Sequence, residues 1–189
     1  MKAAIFLDRD GVLNKTTVRN GKPYAPRNVA DFILYPGTNQ CLTTLKARGF
    51  LLFVVTNQPD VGNGLTAKED VHSMHKLLHS LSSIDHIEIC FHSQSDNCLC
   101  RKPRTGMLTK LTHQYKVDTA KSYMIGDRGS DITAGNTMRL KTILIDRQYS
   151  EPINILPWKQ CRSLAEATKI ILSDHTGQVG SRNNTMRQS

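Results

Sequence analysis

The chain has 189 residues, 39% of them hydrophobic and 22% charged, with a formal net charge of +9, which suits one domain with a sizeable core and excludes disordered, collagenous and disulfide-dense classes. No run approaches the roughly eighteen apolar residues of a membrane span, and Met1-Lys2-Ala3-Ala4-Ile5-Phe6-Leu7 meets Asp8 too early for a signal-peptide core, so a cytoplasmic protein without membrane attachment is expected. Asp174 to Ser189 carry a net +1, leaving +8 on the body with no block of like charges, which argues against a nucleic-acid arm and for a small phosphorylated substrate.

Ala4-Ile5-Phe6-Leu7 reads as a buried strand that ends in Asp8-Arg9-Asp10-Gly11. On extended backbone Asp8 and Asp10 project to one side and can share a hard cation such as Mg2+. Asn14 to Tyr35, interrupted by Pro23 and Pro26, reads as a loop bordering a substrate, and Pro36-Gly37-Thr38 opens a helix with Thr38 as N-cap, Leu42 and Leu45 inward and Gly49 at its C-terminal end. Phe50 to Val55 is a continuous apolar run, as expected of a strand buried on both faces, and delivers Thr56 and Asn57 to its end. Thr66-Ala67-Lys68-Glu69 has the form of a capping box, followed by a helix with Val71, Met74, Leu77, Leu78 and Leu81 as the apolar stripe and His72, His75 and His79 on a solvated face.

Ile87 to Phe91 predicts a third strand, and Cys90 to Arg104 a loop rich in potential ligands. Thr105-Gly106 opens a helix with Met107, Leu108 and Leu111 inward; Tyr123 to Ile125 forms a strand ending at Gly126-Asp127; Ile132 to Met138 is helical; Thr142 to Ile145 is a strand ending at Asp146. Gln148 to Trp158 wraps the surface, and Ser163 to Leu172 forms a last amphipathic helix. The expected organisation is one domain over 1–173 and a disordered tail over 174–189. Alternating strands and helices predict a single Rossmann-like α/β domain. It has a mainly parallel five- or six-stranded sheet, helices on both faces and no large cap domain, and ligands bind beyond the carboxyl ends of the strands.

Five cysteines, three of them between positions 90 and 100, look unlike a secreted disulfide framework. Cys90-x-His92 and Cys98-x-Cys100 offer three sulfurs and one imidazole, a donor set suited to tetrahedral Zn2+ in a structural site. Because Arg101 and Lys102 follow directly, a zinc-stabilised loop would also fix that lysine. Cys41 and Cys161 read as packed side chains.

Asp8-x-Asp10-Gly11, Val55-Thr56-Asn57, Arg101-Lys102-Pro103 and Gly126-Asp127 with Asp131, in that order from about residue 3 to 147, resemble the four motifs of the haloacid dehalogenase superfamily. The resemblance implies a phosphatase in which Asp8 attacks phosphorus to form an aspartyl-phosphate and Asp10 acts as acid and then base. Lys102 neutralises charge, and Thr56 bonds a phosphoryl oxygen, joined by the main chain or side chain of Asn57. Mg2+ is held by Asp8, Asp127 and the main-chain carbonyl of Asp10; Asp131 either orients Lys102 or serves as a helix N-terminal acid. Arg9, Asn57, Gln58 and Arg101 are the implied substrate contacts. The zinc loop is similar to that of small members without a large cap domain acting on D-glycero-D-manno-heptose 1,7-bisphosphate, for cell-surface polysaccharide synthesis, or on histidinol phosphate, and a monomer is expected. Residues 56–61 and 102–108 resemble the heptose group. Asn63 stands where that group tends to place arginine, and the five residues between His92 and Cys98 match the histidinol group. Polynucleotide 3'-phosphatases share the aspartate motifs without typically carrying this loop.

Overall fold

The computed structural model describes residues 1–185, with side chains through 176. Six strands form one parallel sheet: β1 (Ala4–Leu7), β4 (Leu51–Asn57), β5 (His86–Cys90), β6 (Tyr123–Gly126), β7 (Lys141–Ile145) and β8 (Lys159–Cys161), in spatial order β5-β4-β1-β6-β7-β8. β1 lies inside the sheet, between β4 and β6, so its end is flanked by two other strand ends.

Side-chain alternation along each strand divides the core into two layers. Ile5, Leu7, Leu52, Val54 and Ile125 face α1 (Thr38–Ala47), α3 (Lys68–Leu81) and α6 (Leu164–Thr185), which contribute Leu42, Leu45, Val71, Met74, Leu78, Ala167 and Ile171. Ala4, Phe6, Phe53, Val55 and Met124 face α4 (Gly106–Tyr115) and α5 (Gly129–Thr137), which contribute Met107, Leu108, Leu111 and Ala134. Strands covered on both faces read as unbroken apolar runs, which is why β1, β4 and β6 stand out in the sequence.

Several local expectations need correction. The segment from Asn14 to Tyr35 is not all loop: β2 (Thr17–Arg19) and β3 (Lys22–Tyr24) form an antiparallel hairpin over the strand ends. Its turn residues Asn20 and Gly21 have φ of 50° and 72°, the pairing that a two-residue hairpin turn with both central residues at positive φ requires. Gly37, at φ 79°, is the N-cap of α1, whereas Thr38 is already helical and its hydroxyl donates to the Leu13 carbonyl. α3 starts at Lys68 with Ala67 as N-cap, so Thr66 makes no capping box. His75 is 5% exposed and lies inward with Val71, Met74 and Leu78, so it leaves the solvated face assigned to it. β8, a short strand with two exposed residues, adds the sixth member of the sheet. Helical backbone in α6 passes through the expected tail boundary at 174 to Thr185, and positions 186–189 lie outside the described residues. Among the described residues no helix is long and apolar enough to cross a membrane.

α5 sits against β6 and β7 through Gly135, where an added Cβ would lie 2.5 Å from Thr142 Cγ2 and 2.8 Å from Met124 Cβ. Overpacking of this kind typically costs about 1–3 kcal/mol. Gly135→Ala is therefore expected to lower stability by that amount in urea unfolding, and an unchanged midpoint would contradict the close helix-on-sheet seat.

Candidate active site

Asp8, Asn57 and Asp127 stand at or just past the carboxyl ends of β1, β4 and β6. They border a cleft of about 460 Å³ whose other walls carry Lys22 and Tyr24 from the hairpin, Arg101 and Lys102 from the loop after β5, and Arg128. Gly11 turns the chain here at φ +81°, and a Cβ on it would fall 1.8 Å from Asp127 Oδ2. Only glycine meets both demands, which lets the β1 end and the β6 end approach each other.

Lys102 is the buried hub. Its ammonium lies 2.9 Å from Asp8 Oδ1 and 2.6 Å from Asp131 Oδ1, and donates to the Val55 carbonyl at 2.6 Å. A buried ammonium needs its charge met inside the protein, and the two carboxylates and the Val55 carbonyl do so. Burial alone would depress its pKa, yet the charges of Asp131 and Asp8 outweigh burial and raise it. Asp131 fills both roles that its position allowed: in the first turn of α5 it accepts from the Arg128 backbone N–H at 3.1 Å, and it pairs with Lys102.

The Asp8 carboxyl is pushed up to about 7, chiefly by burial and further by Asp131 and Asp10, against the pull of Lys102. Asp127 is raised well above the usual carboxylate range by burial, Asp8 and Asp131, with a hydrogen bond from Tyr149 working the other way. Donor oxygens of Asp8, Asp127 and Asp131 lie within 4.8 Å of one another. Three buried carboxylates against one ammonium leave two negative charges uncompensated when all are ionised. Among the described residues Asp127 Oδ1 is buried with no hydrogen-bond partner. Hard oxygen donors, excess negative charge and an unpartnered buried oxygen together fit a divalent cation such as Mg2+.

Asp10 lines the cleft beside Asp8 and accepts from Asn14 Nδ2 at 2.9 Å and Gln58 Nε2 at 2.7 Å. Gln58 also bonds the Thr56 hydroxyl oxygen at 2.9 Å. Thr56 itself is fully buried, directly before the cleft-lining Asn57 and Gln58. The Asn57 amide is engaged on protein: it donates to the Lys102 carbonyl at 3.0 Å and accepts from the Lys102 N–H at 3.1 Å, a two-point clamp at the edge of the cleft. Arg9 corrects the expectation of a substrate contact, because it has no solvent exposure and forms a fork on Asp10 instead. Arg101 is among the residues that border the cleft. Arg27 is paired with Asp60 and Asn63 bonds Gln94.

The second donor cluster forms at the end of β5. Cys90 Sγ lies 3.5 Å from Cys98 Sγ and 3.2 Å from Cys100 Sγ, Cys98 and Cys100 are 3.4 Å apart, and His92 Nδ1 is 3.2 Å from Cys100 Sγ. Three thiols and one imidazole nitrogen converging in this way fit tetrahedral Zn2+. Burial pushes the Cys90 thiol up to about 12, while Cys98, despite the opposing effect of burial, is brought down to about 7 by the Arg101 backbone N–H and its cysteine neighbours. Arg104 holds the Asn97 and Cys98 carbonyls. All five cysteines are free thiols.

Some cleft residues carry no motif. Tyr149 reaches Asp127 and Thr16 from the loop after β7, Arg128 pairs through two nitrogens with Glu151, and Lys22 and Tyr24 come from the hairpin. The Asn20-Gly21 turn was the one available sequence signal for the last two.

Comparison with known proteins agrees with this geometry. The family model described as polynucleotide kinase 3 phosphatase matches residues 3–156. A D-glycero-beta-D-manno-heptose-1,7-bisphosphate 7-phosphatase of Pasteurella multocida is 32% identical over 187 residues, covering 90% of this chain and 97% of its own. The histidine biosynthesis bifunctional protein HisB of Legionella pneumophila is 30% identical over 155 residues, covering 79% of this chain and 43% of its own. Among solved structures, the D,D-heptose 1,7-bisphosphate phosphatase from B. bronchiseptica complexed with magnesium and phosphate superposes with a TM-score of 0.79 at 27% identity, covering 92% of this chain and 99% of that one.

Asp8 binds its proton more tightly in the folded chain, at about 7, than at its ordinary 3.8. Such a group contributes stability that is present below the lower value and lost as pH rises through the higher one. In chelator-treated protein, Asp8→Asn should therefore gain stability relative to the unsubstituted chain as pH rises from about 4 to about 8. Melting temperatures across that range test this, and a pH-independent difference would contradict it.

Proposed function

The chain belongs to the polynucleotide kinase 3 phosphatase family, within the haloacid dehalogenase superfamily; from that premise we propose that it is a Mg2+-dependent phosphoric monoester hydrolase that removes the 7-phosphate of D-glycero-D-manno-heptose 1,7-bisphosphate. The near full-length similarity to a 7-phosphatase supports the substrate. The observation that carries the reaction is Asp8 at the cleft, with Lys102 on Oδ1 and no hydrogen bond to Oδ2 among the described residues.

In this reading Asp8 attacks phosphorus in line, the ester oxygen departs, and an aspartyl-phosphate forms on Asp8. Lys102, fixed by Asp131, balances charge as the anionic carboxylate meets the anionic phosphoryl group. Asp10 gives a proton to the departing oxygen and then takes one from the water that opens the aspartyl-phosphate. Asp8, Asp127 and the Asp10 carbonyl would hold Mg2+, which when bound supplies further charge neutralisation at the phosphoryl oxygens. Thr56 acts through Gln58, and Asn57 through its clamp on Lys102. The four-donor cluster would hold Zn2+ as a structural ion and, through Arg101 and the Asn57 clamp, keep Lys102 in place. Lys22 and Arg101 bring positive charge to the cleft walls, suited to a substrate with two phosphates.

Histidinol phosphate is the second reading. The five-residue spacing between His92 and Cys98 and the similarity to the bifunctional histidine-biosynthesis protein favour it.

Two measurements test the proposal. The kcat/KM should be higher for heptose bisphosphate than for histidinol phosphate or a 3'-phosphorylated oligonucleotide, and Asp8→Asn should lose at least about 1,000-fold of kcat, in the range seen when a nucleophile is removed; a reversed preference would overturn the substrate, and retained turnover the mechanism. Elemental analysis should find a single zinc ion per chain, and Cys100→Ser should lose that zinc together with thermal stability and turnover, with no recovery on adding Mg2+; a zinc-free protein of full activity would refute the clamp.

A further inference from the structure

Four N–H groups converge on the Asp10 carboxylate. Asn14 and Gln58 supply one neutral amide each, and Arg9 supplies two, Nε to Oδ1 at 3.1 Å and Nη2 to Oδ2 at 3.0 Å. The Arg9 pair is the charged, planar fork and the stiffest restraint on the carboxyl plane. An arginine with no exposure must satisfy its other amino group inside the protein, and Arg9 Nη1 does so at 3.0 Å from His75 Nε2. Its guanidinium also lies 5.5 Å from the Phe32 ring centre.

Guanidinium has no acceptor, so His75 Nε2 accepts and the imidazole is neutral. Burial and the Arg9 charge push its pKa down to about 3, which agrees. A histidine on α3, 66 positions along the chain from Arg9, thus sits behind the cleft without bordering it.

We propose that Arg9 and His75 are positioning residues for Asp10: His75 holds the Arg9 guanidinium, and Arg9 sets the plane and place of the Asp10 carboxyl at the cleft. The inference rests on the reading that Asp10 handles the proton of the departing oxygen. It goes further in assigning two residues that touch neither substrate nor metal to that proton's delivery.

A merely structural role is separated from a positioning one by the leaving group. The sugar alkoxide needs a proton as it departs, whereas the phenolate of p-nitrophenyl phosphate needs little help. The kcat/KM for heptose bisphosphate and for p-nitrophenyl phosphate, which reports the steps through departure of the leaving group and not the later hydrolysis that both esters share, is measured for the unsubstituted enzyme, Asp10→Asn, Arg9→Gln, His75→Leu and His75→Gln, each checked for folding by its melting curve. On the sugar ester, Arg9→Gln is expected to lose about 100-fold of kcat/KM and His75→Leu about 10-fold, within the range of general acid catalysis. Both should stay within about threefold on the aryl ester. His75→Gln, whose amide oxygen can accept the same Nη1 hydrogen, should recover most of the loss. Equal losses on the two esters, or none on either, would overturn the inference while leaving Asp10 in its role. An Asp10→Asn enzyme without selective loss on the sugar ester would remove the reading of Asp10 and the inference with it. If Arg9→Gln does not fold, the two His75 variants decide.

Discussion

The ammonium of Lys102 is the interaction on which the rest of the site depends. It ties together the end of β1 through Asp8, the end of β4 through the Val55 carbonyl and the first turn of α5 through Asp131. An ammonium with this little exposure would be severely unfavourable without those partners, so the loop that carries it cannot drift. The same contact leaves a charge imbalance, since one ammonium faces three buried carboxylates while Arg128, which also acts on Asp127 and Asp131, is paired with Glu151. A protein built only for stability would avoid that surplus; one that receives a divalent cation and a phosphoryl group has a use for it.

Two layers of support surround that centre. On one side the Asn57 amide grips Lys102 by both its carbonyl and its N–H, and the Cys-His cluster begins where β5 ends and finishes next to Arg101. On the other side α3 reaches Asp10 through His75 and Arg9. Arg9, which reads as a substrate ligand, therefore does its work by holding another residue.

The sheet and the motif residues were largely legible in the sequence because buried parallel strands are continuous apolar runs, and Asp8, Thr56 and Asp127 follow such runs directly. What was not legible has physical reasons. Val71, Met74, His75 and Leu78 have the spacing of one buried helix stripe, but a histidine at that spacing is ordinarily solvated, and the guanidinium that satisfies it lies far away in sequence. Arg9 stands between two acids, where an exposed charge is the ordinary expectation; only the tertiary structure shows that it points inward. Asn20-Gly21 is a hairpin signal, masked by strands of three residues and by Pro23. β8 is too short and too polar to announce itself, and Tyr149 reaches Asp127, and Glu151 the cleft, from a loop with no periodicity at all.

The central claim is that the phosphoryl group passes through Asp8. The direct measurement is rapid acid quenching during turnover with excess Mg2+, followed by peptide mass spectrometry. The account predicts a phosphoryl adduct on Asp8 that forms and decays at rates compatible with turnover and is absent from Asp8→Asn. Turnover without any adduct on Asp8, or with an adduct on another residue, would contradict it.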